Sequence, residues 1–389
     1  MNRRALLLKL AQDIRASYWF IPAVLVVAAF ALAHGSQWLD HNTELLPFKL
    51  PEAFVNTQIE GARATLSVIA TSVIGVTGVM FSMTILAVSF AAGNYGPRLI
   101  ENFMRDRGNQ ISLGILIATF VYAVSILRAV QDPSESGAIE AFVPQYSMLI
   151  AMLGCIVAVF TMIYFVHHVP ETINVSNITA ALGAKLETAI TTMIDAEAEL
   201  PKPARRDYPN RDPDHSVGLP SAGFIQTLNY DQIESLCDDR NWQIEIVKIP
   251  GDFVTSFTSV LHIWADGKIS DAQLNDLREC FAVGTSRTEN QNVFFLVDEL
   301  VEMLARALSP GVNDPFTAMN CLDWMYNALD AAKHHNGGLG EEGARKNSLG
   351  PSLTQDALFE RSFLASKPYC EPDHLAYEHY NKHVGEMQA

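Results

Sequence analysis

The chain has 389 residues, of which 49% are hydrophobic and 18% are charged, and its formal net charge at pH 7 is −16. The charge is uneven: residues 1–168 carry 10 basic and 10 acidic side chains, whereas residues 169–389 carry 17 basic and 33 acidic ones. This acidic balance argues against nucleic acid as a partner, because Lys and Arg are the residues that neutralise phosphates.

Four long apolar runs lie within the first 168 residues, and none follows. A helix needs about 20 apolar residues to cross a hydrocarbon core of roughly 30 Å. The first run is predicted to be a retained helix rather than a cleaved signal peptide, since three more spans follow it. The sequence therefore predicts a four-helix membrane domain (1–168) in contact with the lipid bilayer, with spans at about 18–35, 65–92, 111–130 and 146–167.

The placement of Lys and Arg predicts the orientation of these spans. Seven basic residues lie in the N-terminal segment and the 93–110 loop, against three on the opposite side. Because cytoplasmic loops carry an excess of Lys and Arg, both termini are predicted to be cytoplasmic in a multi-pass topology. The acidic C-terminal part is then cytosolic.

The second apolar run contains small and hydroxylated residues at heptad-like spacing. Small residues let helix backbones approach closely, and such packing replaces the missing hydrophobic driving force in lipid. Two interpretations follow: an interface with other helices of the same chain, or a pore-lining helix of a homo-oligomer whose hydroxyls face water. The candidate pore-lining or helix-packing residues are Thr71, Gly75, Gly78, Ser82 and Ser89.

The loop after this span, AAGNYGPRLIENFMRDRGNQ (91–110), predicts a short amphipathic helix at the inner interface. Pro97 suits the first position of a helix, and over 97–107 apolar residues share one face while charged residues share the other. Arg98 and Arg105 are placed to meet lipid phosphates. The segment is interpreted either as a simple connector or as a coupling element between the second span and the soluble part.

The remaining chain is predicted to be a cytosolic mixed α/β domain. Apolar residues at helical spacing predict a connecting amphipathic helix over 169–200, either a coiled neck between copies of the chain or a helix packed on its own domain. The proline-rich, charged stretch 201–219 is predicted to be a linker. Strand-like runs and helices follow over 220–334, and 335–389 is predicted to be a flexible segment with a C-terminal helix or tail.

A polar cluster surrounds the sequence SPGVNDP in the α/β domain. Its Asp can cap a following helix that begins with Pro, which explains the motif as a structural turn. Alternatively, a helix N-terminus beside arginines can hold an anion, and Asn and Asp oxygens can hold a cation. The residues of this ligand site or structural turn are Arg287, Arg306, Asn313 and Asp314.

Three segments together resemble a bacterial family of predicted membrane proteins, the domain of unknown function 2254 family. They are NYGPRLIENFMRDRGNQ (94–110), HHVPETINVSNI (167–178) and RALSPGVNDPFTAMNCLDWM (306–325). The chain departs from the family pattern at Asn292, where an acidic residue is usual, and at Thr255, where a Gly-x-Pro turn would be typical. The resemblance covers nearly the whole chain and implies a bacterial inner (plasma) membrane location, but the family name implies no activity.

The motifs of common enzymes do not occur in the sequence. It contains no Walker loop, no GxGxxG after a strand, no HExxH, no GxSxG and no kinase set, so we predict no enzyme activity, catalytic residue or cofactor. The five cysteines lie far apart without ligand spacing, and His167 and His168 have no apparent third ligand. We therefore predict no metal site.

Two classes of function remain. The first is a homo-oligomeric ion channel in which the second span lines the pore for inorganic ions and the acidic cytosolic domain forms a gate or vestibule. Carriers usually place ionisable residues within the membrane, and most of these spans contain none, which argues against a carrier. A hydroxyl-lined pore without charges suits weakly selective conduction. The alternative is a non-conducting membrane scaffold or sensor whose cytosolic domain binds a partner or small ligand.

Overall fold

In the computed structural model the chain forms two compact units. The first comprises Met1–Gly93 and Pro97–Asn174, and the second comprises Asn94–Gly96 and Val175–Ala389. The structure describes residues 17–45, 58–96, 106–132, 142–199, 211–265, 267–339, 348–349 and 353–388.

The described residues of the first unit form four helices that are long and apolar enough to cross a membrane. Their bounds are α1 Phe20–His41, α2 Ile59–Tyr95, α3 Arg107–Ala129 and α4 Gln145–Thr172, with a short 3-10 turn at Thr43–Leu45. The predicted four spans are thus confirmed. The helices extend further than the apolar runs, because polar turns at their ends, such as 59–64 and 168–172, remain helical.

A buried polar network joins α1, α3 and α4 near one end of the unit. Asp40 accepts hydrogen bonds from the backbone amides of Tyr146 (2.8 Å) and Ser147 (3.0 Å), and the Ser147 hydroxyl also donates to it. The hydroxyl of Ser36 lies 2.9 Å from that of Tyr122 and 2.9 Å from that of Ser147. Asp40 on α1 therefore satisfies the unpaired amides at the N-terminus of α4, a position where negative charge is favourable.

The second unit begins with a long helix, α5 (Val175–Glu199), and continues through helices α6 to α12. These are α6 Tyr230–Arg240, α7 Asp271–Arg278, α8 Val293–Ala307, α9 Pro315–His334, α10 Gln355–Phe359, α11 Ala365–Cys370 and α12 His374–Gln388. A π-helical segment, Glu360–Leu364, joins α10 to α11, and a 3-10 turn, His335–Gly337, follows α9. The single C-terminal helix or tail expected from the sequence is thus a set of consecutive helical segments.

The described residues of this unit also form two small sheets. Their strands are β1 His215–Gly218, β2 Gly223–Leu228, β3 Gln243–Ile246, β4 Phe253–Val254, β5 Ser259–Trp264, β6 Phe281–Gly284 and β7 Ser348–Leu349. The first sheet has the order β1-β5-β3-β7 and the second the order β4-β2-β6. All pairings are antiparallel except that of β3 with β7, where Ile244 lies opposite Ser348. The mixed α/β class is confirmed.

Helix α5 packs within its own unit. Its apolar positions Leu182, Leu186 and Ile190 are buried, and Gly183 lies so close to the ring of Trp324 on α9 that an added Cβ would approach it to 2.5 Å. Asn327 of α9 donates a hydrogen bond to Glu187 of α5 at 2.8 Å. The face that suggested a coiled neck is therefore buried against the same chain.

Candidate functional site

Helix α2 buries one face against the rest of the first unit. Most of the buried positions recur every three or four residues, as a helix of 3.6 residues per turn requires, and most belong to the hydrophobic core of this unit. They include the polar residues Thr77 and Thr84, whose hydroxyls donate to the carbonyls of Val73 and Met80. The buried positions are Ala62, Leu66, Ile69, Ala70, Val73, Thr77, Met80, Thr84, Ala87 and Ala91.

The small and hydroxylated residues predicted as the pore-lining or helix-packing set occupy the opposite face. At 100° per residue, their mean direction lies about 180° from that of the buried positions. All five are exposed: Thr71, Gly75, Gly78, Ser82 and Ser89. A Cβ added at Gly75 or Gly78 would find no atom within 4 Å. We call this exposed set the small-residue stripe.

A groove of about 410 Å³ runs along the middle of the stripe. Its floor is made by Gly75, Gly78 and Ser82, and its walls by the bulkier Val79, Met83 and Leu86. Close helix packing in lipid depends on such small residues four apart, here Thr71 with Gly75 and Gly78 with Ser82. The groove therefore has the form of a surface on which another helix backbone packs.

Two hydroxyls of the stripe, those of Thr71 and Ser82, bond back to their own helix. Thr71 donates to the carbonyl of Ser67 at 2.7 Å, and Ser82 donates to the carbonyl of Gly78 at 2.9 Å. Their protons are thus satisfied, while the oxygen lone pairs still point outward as acceptors. At these two positions the exposed oxygens can therefore accept hydrogen bonds but have no proton left to donate.

The two predicted arginines of the second unit are each held by a carboxylate of α8. Arg287 contacts Asp298 at 2.8 Å and also lies over the ring of Phe224, and Arg306 contacts Glu302 at 3.1 Å. Asp298 accepts two further hydrogen bonds from Arg361, which raise the pKa of that guanidinium. The geometry gives both predicted arginines a structural partner.

The SPGVNDP segment forms the turn between α8 and α9. Asn313 adopts a left-handed conformation with φ of 51°, a region that Asn tolerates better than most residues. Asp314 is the N-cap of α9 and accepts hydrogen bonds from the amide (3.1 Å) and hydroxyl (2.5 Å) of Thr317. Of the two alternatives that the sequence left open, the geometry of this turn favours the structural one.

The predicted coupling residues Pro97, Arg98 and Arg105 lie outside the described residues. Gly96, which precedes them and groups with the second unit, has φ of +129° and lies against the side chain of Glu302. Beyond the gap, Asp106 is the N-cap of α3 and its carboxylate also lies 3.0 Å from His168 Nε2. This pair gives one of the two histidines noted in the sequence a structural partner.

A group of ligand-type side chains in the second unit was not predicted from the sequence. Asp323 of α9 and His379 and His383 of α12 place one ligand atom each within 4.8 Å of one another. The signal that could have found it is the pair of histidines four residues apart on a helix, a spacing that puts both rings on one face. Asp323 carries no such signal because it lies 56 residues away from His379 in the chain.

Four apolar spans followed by a mixed α/β unit define a multi-pass membrane protein. The family described as predicted membrane protein DUF2254 matches residues 15–379, and the chain belongs to it. This confirms the resemblance found in the three sequence segments.

The chain is also similar to uncharacterized proteins of Mycobacterium bovis (Mb1321c) and Mycobacterium tuberculosis (Rv1290c). Each is 28% identical over 331 residues, covering 82% of this chain. The match spans about 60% of the length of these curated relatives. No solved structure matches the chain significantly.

Proposed function

We propose that this protein is a homo-oligomeric ion channel of the bacterial inner membrane rather than an enzyme. Helix α2 lines the pore, and both termini and the acidic C-terminal unit are cytoplasmic. The observation that carries this proposal is the direction of the small-residue stripe, which faces away from the core of its own protomer.

The exposed faces of the other spans differ from the stripe. Helices α1 and α4 present large apolar side chains outward, among them Val27, Phe30, Leu153 and Phe160, as expected for surfaces in contact with acyl chains. The stripe instead presents glycines and hydroxyl oxygens. Copies of α2 arranged around a symmetry axis bring these small residues together, so that backbones approach and oxygens line the centre.

The charge of the chain supports cations as the conducted species. Hydroxyl and backbone oxygens without a charged ring provide weak, multiple contacts to an ion, which suits conduction with low selectivity. The acidic residues after 168 outnumber the basic ones by 16. A domain of this charge raises the local concentration of cations and serves as a vestibule or gate.

The test is the oligomeric mass in detergent together with unitary currents in planar bilayers. The informative variant is Gly78→Leu, which fills the groove, and its matched control is Gly35→Leu on α1. Both glycines are exposed helical positions with no atom within 4 Å of an added Cβ, so both variants gain helix propensity equally.

We expect wild type and Gly35→Leu to form oligomers of the 42.9 kDa protomer and to conduct. Gly78→Leu is expected to lower the mass to that of a monomer and to abolish the currents, and Ser82→Phe to reduce conductance. A monomeric wild type, or a Gly78→Leu protein that behaves like Gly35→Leu, overturns the proposal. A stable oligomer that is silent under voltage, tension and pH steps supports the scaffold or sensor alternative, for which the His and Asp cluster of the second unit provides a ligand site.

A further inference from the structure

Three side chains from two helices of the second unit converge on one point. Asp323 Oδ1 lies 2.6 Å from His379 Nε2 and 2.7 Å from His383 Nε2, and the two ring nitrogens are 3.2 Å apart. The histidines come from successive turns of α12 and the carboxylate from α9. The pair of helices thus presents two imidazoles and one carboxylate to a common centre.

A second carboxylate fixes the ring of His383. Glu386 Oε2 lies 3.1 Å from His383 Nδ1, whereas Asp323 Oδ1 lies 2.7 Å from Nε2 of the same ring. The two carboxylates thus contact different nitrogens of this imidazole. A carboxylate on the far nitrogen is the arrangement that orients metal-bound histidines and raises their basicity.

Two imidazole nitrogens and one carboxylate oxygen on a common centre are a donor set that binds divalent transition metals in proteins. We propose that Asp323, His379 and His383 form a binding site for a divalent transition metal ion of the zinc class.

The distances agree with this chemistry. Bonds of 2.0–2.1 Å in tetrahedral zinc sites separate neighbouring ligand atoms by about 3.3 Å, close to the separation of the two ring nitrogens. The carboxylate must withdraw by about 0.7 Å to match it. Asp323 has room for this movement because its side chain is 49% exposed, whereas those of His379 and His383 are only 16% and 7% exposed.

Aromatic neighbours hold the buried ligand in place. The ring of His383 is stacked on Tyr326 at 4.4 Å and meets Phe363 edge-on.

A site with two rigid imidazoles, one movable carboxylate and solvent beside it has three protein ligands and an open position for water or an exchangeable ligand. Imidazole with carboxylate suits zinc and the later first-row metals better than calcium or magnesium. The bound ion cross-links α9 and α12.

The experiment uses the full chain, purified without a histidine tag and stripped of metal with a chelator. Zinc is titrated in competition with a chromophoric chelator of known affinity. We expect one tightly bound zinc ion per chain, and an affinity reduced by more than about 10-fold in Asp323→Asn and His379→Ala, since losing an outer partner alone costs 10–100-fold. X-ray absorption at the zinc edge is expected to show two imidazole ligands.

The matched control is His374→Ala, which removes a histidine of the same helix whose side chain is 90% exposed. It is expected to bind zinc as wild type does. Circular dichroism of the metal-free proteins verifies that the variants remain folded. Equal affinities in wild type and the Asp323 and His379 variants, or the absence of stoichiometric binding of zinc, cobalt and iron(II), overturns the proposal and leaves a proton-sharing cluster. The outcome is independent of whether the protein conducts ions.

Discussion

Gly251 shows how one residue determines the packing of a turn in the second unit. Its φ is +100°, and its amide donates to the carbonyl of Ile225 at 2.8 Å. A Cβ at this position would lie 2.2 Å from the side-chain nitrogen of the buried Asn292. The residue that departs from the family pattern at 292 is therefore a packing partner of this glycine.

We expect Gly251→Ala to lower the free energy of unfolding by more than about 2 kcal/mol, because it combines strain at positive φ with a steric clash. The control is Gly267→Ala. Gly267 also has positive φ, but an added Cβ would find no atom within 4 Å, so this variant measures the strain alone. Thermal unfolding of both variants is the measurement, and equal losses of stability would contradict the role assigned to Asn292.

The other departure from the family pattern also has a structural counterpart. The turn after Val254 closes through a hydrogen bond from the Thr258 amide to the Thr255 carbonyl, and the two threonine hydroxyls lie 2.9 Å apart. A tight turn thus forms without the Gly-x-Pro sequence. Single-residue reasoning could not predict this, since Thr–Thr pairing across a turn has no strong sequence signature.

At the scale of elements, Asp314 is the clearest case in which a motif serves a helix. Replacing it with Ala removes the side-chain acceptor that holds the first turn of α9 and is expected to cost about 1 kcal/mol of stability. Asp314→Asn keeps an acceptor and is expected to cost much less. Thermal unfolding distinguishes the two variants, and a large loss in Asp314→Asn would indicate that the charge itself matters, as it does in a ligand site.

Long elements could be predicted from the sequence because their signals are local. The four spans follow from hydropathy, strand β2 from its composition, and α8 from its apolar period. Strand β7 could not be predicted, since two residues carry no period and their pairing with β3 is set by tertiary structure. The same reason hides Asp323, because only the packing of α9 on α12 brings it to the histidines.

At the scale of the whole molecule, the cysteines report on the integrity of the second unit. Burial raises the pKa of Cys237 and Cys370 to about 12 and that of Cys280 to about 11, and it also raises the pKa of Cys321. The thiolate fraction at pH 8 is then on the order of 0.1% or less, against roughly a quarter for an ordinary thiol.

A Cys155→Ala variant, which removes the membrane thiol, is therefore expected to react with maleimide at pH 8 at least about 100-fold more slowly when folded than in denaturant. Mass spectrometry at successive times measures the number of modified thiols. Because a raised pKa is a property of the folded state, reactivity is expected to rise only when pH approaches 11. Rapid labelling at neutral pH would show that the second unit opens readily.

The direction of the small-residue stripe belongs to this scale as well. The heptad spacing of Thr71, Gly75 and Gly78 is visible in the sequence, but which face of α2 is buried in the first unit is not. Both faces of α2 contain threonines, and only the assembled unit shows that Thr77 and Thr84 are inside while Thr71 is outside.

The length of α2 has a mechanical consequence. A helix of 37 residues is about 55 Å long, whereas the hydrocarbon core is roughly 30 Å thick. The surplus of about 25 Å must tilt or emerge into water. In a thinner bilayer α2 tilts further or projects further into water. Because the helix is stiff, a small change of tilt angle at its middle displaces its end by several ångströms.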